Sequence, residues 1–284
     1  MGDKSALGRK LQACRLPDFV TLFLKLLPYY MFKLCATFLS CHQKWANFFV
    51  NRLLNYFMCQ NCIGILVGLF ISVFQLSARP IVLKSYQVGK IHFTGYLPVD
   101  QQVYWVRTRP ICHAGQSLVV PAAFTHPDMS IAGAAIEWGK VINPAISTEL
   151  SGFCLIRDKK PWVLNQAEMQ VGGLRKWEQF GTSIFQQDLL VLNGKKVTIS
   201  HAKAMNWWRA LVIFSDRFEV VENVEQIPRE EFQSGLIALG AKQAIYLDMG
   251  TWSEGAYFSQ SNKVVKIGRL RQNTSKQTNW LVFH

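Results

Sequence analysis

A carboxylate at the end of an apolar strand, with glycine close behind it, sits at a sheet edge where backbone can approach a ligand. The chain has this pattern in Tyr246-Leu247-Asp248-Met249-Gly250-Thr251-Trp252-Ser253-Glu254-Gly255. A cation heads a second apolar stretch, Trp207-Trp208-Arg209-Ala210-Leu211. A ligand approaching that edge would meet the Asp248 carboxylate and the Arg209 guanidinium. The plainer alternative makes Asp248 a turn cap and Arg209 a surface cation. Glu254 is the other carboxylate of the motif, and its simpler role is a solvated loop side chain. His201 lies a little upstream of Arg209 and reads first as a loop histidine. The sequence has no Gly-rich phosphate loop, His-Glu-x-x-His or Gly-x-Ser-x-Gly, so nucleotide hydrolysis, zincin chemistry and α/β-hydrolase chemistry have no support.

At these residues the chain resembles the phosphodiester glycosidase family. That family's signature is an Arg-Thr-Ala strand, a helix ending in Leu-Gly-Ala, and an Asn-Leu-Asp-Gly-Gly-x-Ser-Ser tip. Arg209-Ala210, Leu239-Gly240-Ala241 and 246–253 match these in turn, and the third match is the most specific. The segment 183–194, from Ser183 through Gln186 to Asn193-Gly194, resembles the family's entry to its catalytic half, and 129–144 resembles an earlier hairpin. The likeness spans about residues 90–284. It implies hydrolysis of a bond between an anomeric carbon and a phosphodiester, with Asp248 and Arg209 catalytic. Gly250, Thr251, Trp252, Ser253, Glu254, Gln186 and Asn193 are then the substrate-binding set, with Ser253 and Trp252 holding hydroxyl groups and one sugar face. The resemblance implies no metal and no cofactor. Two departures stand out. Met249 replaces the first glycine of the usual pair and is expected to fill space beside the carboxylate. Val119-Val120-Pro121-Ala122-Ala123-Phe124 stands where members often carry Asn-Ala-Gly-Met-Phe, so an asparagine facing the substrate is missing.

The elements that must position these groups are short. Alternating apolar runs predict strands over 91–96, 103–107 and 117–120. Three hairpins follow, turning at Trp138-Gly139-Lys140, Asn193-Gly194 and Ser215-Asp216-Arg217. Asn-Gly between apolar strands is the strongest of these cues, since both turn positions favour positive φ. One clear helix is expected over 229–239, opened by Pro228 and closed by Gly240, followed by a buried strand over 244–247. The expected fold is α+β, mainly antiparallel sheet with one or two packed helices.

The full chain of 284 residues carries 31 Lys and Arg against 18 Asp and Glu, a net charge of +13. Residues 1–80 hold nine of those cations and two of the anions, a surplus of seven. Half of all residues are apolar, which excludes a disordered chain. Residues 62–78, CIGILVGLFISVFQLSA, contain no charge, and either a transmembrane anchor or a signal-peptide core fits them. The division expected is a basic, aromatic-rich segment over 1–61, the apolar run over 62–78, and a glycosidase-like domain over 80–284. An apolar stretch over 19–39 is broken by Lys25, Pro28 and Lys33 and suits an interfacial helix. An over-extended start, with Met58 opening an ordinary signal peptide, is the competing account. The upstream cations would stay cytoplasmic, placing residues 80–284 on the far side of the membrane, in the cell envelope or periplasm.

The expected partners are therefore a membrane, through residues 62–78, and a carbohydrate or sugar phosphate. Nucleic acid is not expected, because the basic surplus sits beside the apolar run. A non-catalytic glycan-binding envelope module is the rival to a hydrolase. Cys59 and Cys62 have metal-ligand spacing but no second pair. Cys112 and Cys154 suit either a disulfide or two free thiols.

Overall fold

Strands dominate the computed structural model, which describes residues 81–284 apart from 113–116, 172, 179–180, 199–202 and 270–273. The described residues belong to one compact unit, Ser77–His284. The apolar run 62–78, the 19–39 stretch, Cys59, Cys62 and His201 lie outside the described residues. Among the described residues, no helix is long and apolar enough to cross a membrane.

The largest sheet has seven strands, in the order β1 (Val82–Val88), β2 (Ile91–Leu97), β14 (Phe218–Asn223), β13 (Arg209–Ile213), β16 (Gln243–Leu247), β10 (Leu189–Leu192) and β11 (Lys195–Lys196). A five-stranded sheet runs β18 (Val264–Ile267), β17 (Gly255–Phe258), β4 (Leu118–Pro121), β19 (Trp280–Phe283) and β3 (Val103–Val106). A second runs β6 (Lys140–Asn143), β5 (Ala135–Glu137), β9 (Ser183–Gln187), β7 (Gly152–Arg157) and β8 (Lys160–Asn165). A two-stranded ribbon joins β12 (Met205–Asn206) to β15 (Ile227–Pro228). Every pairing is antiparallel. Among the described residues the α-helices are α1 (Gln166–Gln170), α2 (Arg175–Glu178) and α3 (Arg229–Ala238), one more than the upper expectation for this domain, with α1 and α2 little more than single turns.

The seven-stranded sheet is a middle layer, and its two-residue alternation feeds two cores. Leu211, Val220, Ile245 and Leu247 join a central core shared with Trp105, Leu118, Phe185 and Phe283 of the other large sheets. Ala210, Val212, Val221, Ala244 and Tyr246 face the opposite way, onto Phe232 and Leu236 of α3. Burial on both faces explains why Ala244-Ile245-Tyr246-Leu247 is continuously apolar. Helix α3 begins after Pro228 with Glu230 and Glu231 in its first turn, where acidic groups suit the helix dipole. It ends at Gly240, whose φ of +95° lets Ala241 donate to the Leu236 carbonyl at 3.0 Å. Gly235 permits the close approach of helix to sheet, since a Cβ there would stand 2.2 Å from the Phe93 ring.

The expected hairpins form, with differences in detail. Trp138-Gly139 and Asn193-Gly194 take positive φ at both positions, joining β5 to β6 and β10 to β11. The third hairpin closes one residue earlier than expected, pairing Ile213 with Phe218. Phe214 belongs to that turn, its N–H bonded to the Arg217 carbonyl at 2.8 Å. Cys112 and Cys154 are not joined to each other, and burial drives the Cys154 thiol well above its ordinary range.

Candidate active site

The site is a consequence of register. Arg209, first in β13, pairs with Leu247, last in β16, so Asp248 follows at the same end of the sheet. On its other side Arg209 pairs with Glu222 of β14. The Arg209 side chain is fully buried; its Nε donates to Glu222 Oε1 at 2.6 Å and its Nη1 to the Ser253 carbonyl at 3.2 Å. Its Nη2 is buried with no protein hydrogen-bond partner, a condition native interiors seldom tolerate. The Tyr96 hydroxyl donates to Glu222 Oε2 at 3.5 Å, and burial raises the tyrosine's pKa.

Asp248 is 5% exposed. Its N–H donates to the Ala122 carbonyl at 3.0 Å, and its Oδ1 accepts the Gly250 N–H at 2.8 Å. Burial pushes its carboxyl up to about 6, while the Gly250 N–H and the Arg209 charge pull the other way. A carboxylate tuned to this range changes protonation near neutrality, as a general base or acid requires.

Below this pair lies a second buried cation. Arg229 Nη2 donates to Asp188 Oδ2 at 2.6 Å, and its guanidinium lies 5.5 Å from the Trp208 ring and 5.6 Å from the Tyr246 ring. The Tyr246 hydroxyl accepts the Met249 N–H at 3.1 Å, linking this cluster to the loop that carries Asp248.

The sequence-derived candidates separate into three groups. Asp248, Arg209, Gly250 and Ser253 come together, but Ser253 is fully buried and offers Arg209 its carbonyl, so it presents no hydroxyl to solvent. Thr251 is exposed, and Trp252 is half-buried with Lys276 Nζ 5.8 Å from its ring centre. Glu254 is pinned by Arg109 at 2.7 Å and Lys266 at 3.2 Å, so it is an ion-pair partner and not a freely solvated loop acid. Gln186 and Asn193 lie elsewhere. Both ends of the Gln186 amide are taken up, Oε1 accepting from the Ala134 and Ser147 N–H groups and Nε2 donating to the Ser147 and Leu150 carbonyls. Asn193 is a turn residue, and the neighbouring Gly194 N–H donates to the carbonyl of Lys242, which precedes β16. That places Asn193 at the end of β16 opposite Asp248, a strand length of roughly 15 Å away.

Met249 also departs from its expectation. Its side chain does not fill space beside the carboxylate; it packs into the core under α3 and is 2% exposed. Its φ lies outside the left-handed region, so the glycine usual there is not required by the backbone. The segment around Pro121 does reach the site, through the Ala122 carbonyl. Ala122 and Ala123 are fully buried and bring no polar side chain to it. Glu222, Tyr96 and Tyr246 were not found by sequence reasoning. Glu222 had a usable signal, an opposite charge across a hairpin from Arg209, which the correct turn length reveals. Among the described residues, no cluster of His, Cys, Asp and Glu could hold a metal ion.

This α+β architecture, built mainly of antiparallel sheet, has a counterpart among solved structures. It is similar to the catalytic domain of zebrafish N-acetylglucosamine-1-phosphodiester alpha-N-acetylglucosaminidase, in a form auto-inhibited by its pro-peptide. That match has a TM-score of 0.51 at 12% identity and covers 72% of this chain and 82% of the other. At that identity the likeness is one of fold. A hypothetical protein from Synechocystis aligns with a TM-score of 0.45 at 9% identity, covering 72% of this chain and 62% of its own. No family model and no curated protein matches the sequence.

Proposed function

We propose that the chain is a hydrolase of the phosphodiester glycosidase type, acting on a sugar-1-phosphodiester or a related envelope glycan. The observation that supports it most is Asp248, a buried carboxyl whose titration is pushed up to about 6, set beside an arginine with one unpartnered buried Nη2. In this reaction water attacks the anomeric carbon and gives its proton to the Asp248 carboxylate. The bond from that carbon to the phosphate oxygen breaks, and the phosphate leaves as an anion that needs little protonation. The proton then passes from Asp248 to solvent. One acid–base group is enough, which agrees with Glu254 being held in ion pairs. Arg209 acts through space, favouring the ionised form of Asp248 from inside the sheet. Trp252 and the backbone at Gly250 and Thr251 supply the sugar-facing surface.

A glycan-binding module that has kept the fold is the second reading, favoured by the complete burial of Arg209 and its ion pair with Glu222. Turnover by the full chain on a panel of sugar-1-phosphodiesters, compared with Asp248→Asn, separates the two. The hydrolase reading expects turnover that falls at least about a hundredfold in the variant. A folded protein that cleaves no member of the panel overturns it. Membrane attachment through residues 62–78 and a non-cytoplasmic location belong to the same proposal. Protease applied to intact cells should reach residues 80–284; full protection of that domain would refute the location.

A further inference from the structure

Away from Asp248, a cleft of about 530 Å³ opens between β3, β19 and the β5–β6 turn, lined by Tyr104, Trp138 and His284 with Arg109 and Glu137 at its rim. Trp138 is 59% exposed and sits at a φ of +51°. Both features oppose folding: a bulky side chain is disfavoured in the left-handed region, and its ring gains little from burial. Asparagine or aspartate is the usual choice at this position of a two-residue hairpin turn. A tryptophan held there against its backbone preference points to a use for its ring.

The surroundings specify that use. The Trp138 and Tyr104 rings lie 5.9 Å apart and are inclined at 43°, and His284 meets Tyr104 edge-on at 5.1 Å. The result is an angled aromatic trough and not a parallel slot, so it suits a puckered ring better than a flat base. Its rim carries hydrogen-bonding groups on fixed supports. Glu137 is held by Arg107 Nε at 2.9 Å, and Arg109 is held by Glu254 at 2.7 Å and by the Thr274 hydroxyl at 3.1 Å. An apolar ring wall edged by a carboxylate and a guanidinium is the complement of a pyranose, whose C–H face stacks on aromatics while its hydroxyls reach the rim. Arg109 also connects the cleft with the 248–254 loop, through Glu254.

We infer that this cleft is a saccharide-binding subsite, with Trp138 as its stacking platform. The inference stands on the cleft's own geometry and holds whether or not Asp248 catalyses. Isothermal titration of the full chain with cellotriose, maltotriose and chitotriose tests it, with adenosine monophosphate as a planar control ligand. Wild type should bind at least one trisaccharide saturably. Trp138→Asn should bind it roughly tenfold more weakly. This variant creates an Asn-Gly turn that suits the hairpin, so its melting temperature should hold or rise. Binding of these unphosphorylated trisaccharides is read separately from turnover of sugar-1-phosphodiesters, which separates failure at this cleft from failure of the catalytic reading. Saccharide affinity unchanged in Trp138→Asn overturns the inference. So does the absence of trisaccharide binding at millimolar concentration, or Trp138-dependent binding of the nucleotide alone.

Discussion

At one end of β16 the chain passes Lys242 and the Asn193-Gly194 turn; at the other it runs into Asp248 and Gly250. Both ends join an apolar strand to a glycine-bearing tip, yet their polar groups differ in kind. The Asn193 end is solvated, with Asn193, Lys195, Lys196 and Lys242 all exposed. The Asp248 end buries Arg209, Glu222, Asp248 and Ser253 within hydrogen-bonding or Coulombic reach of one another. Glycine after a strand therefore marks only where the chain can turn. Polar groups retained at a desolvation cost mark where chemistry is possible.

Three substitutions probe this contrast, in falling order of effect. Arg209→Ala should be the most damaging, because it leaves Glu222, 7% exposed, as an uncompensated buried anion. Urea denaturation should register a loss of about 3–5 kcal/mol; a loss under about 1 kcal/mol would mean the two ends are energetically alike. Asp248→Asn should act in the opposite direction and depend on pH. The carboxyl titrates at 3.8 ordinarily and about 6 in the fold. Between those values the folded chain binds more protons than the unfolded one, so stability falls as pH rises. Above about 6 the full cost of the buried carboxylate is present, on the order of 3 kcal/mol. The variant should then unfold at a higher temperature than wild type at pH 7.5 and at nearly the same temperature at pH 4. A constant difference across pH would remove Asp248 from the comparison. Smallest is Gly194→Ala at the solvated end, where a φ of +70° predicts a cost of about 1 kcal/mol. Its effect in thermal unfolding should not vary with pH, and any change in catalytic turnover would tie the two ends together.

The legible parts of this fold were those written in local chemistry. Asn193-Gly194, Pro228 and Gly240 each constrain φ by themselves, so the hairpin and helix they bound were readable. The hairpin joining β7 to β8 was not, because Asp158 and Lys159 hold positive φ without a glycine, imposed by strand pairing on either side. The strand β1 escaped notice for a related reason: it alternates at the sheet edge and offers no strong apolar run. At the site, Asp248 and Arg209 were visible through their position at strand ends, whereas Glu222 was hidden by a single residue of register. A three-residue turn at 215–217 sets Arg209 opposite Asn223; the actual turn, including Phe214, sets it opposite Glu222. A slip of one residue exchanges the faces of a strand, so ion pairs across hairpins are only as readable as the turn between them.

Met249 has one more consequence. Its side chain is sunk in the core under α3, its N–H is bonded to the Tyr246 hydroxyl, and the preceding N–H is bonded to the Ala122 carbonyl. The start of the 248–254 loop is thus fastened on one side to the sheet–helix layer and on the other to the end of β4, and has no independent hinge. Deuterium from solvent can reach the amides of Asp248 and Met249 only when these packed layers open, so they should exchange on the slow timescale of β4, β16 and α3 and not on that of a surface loop.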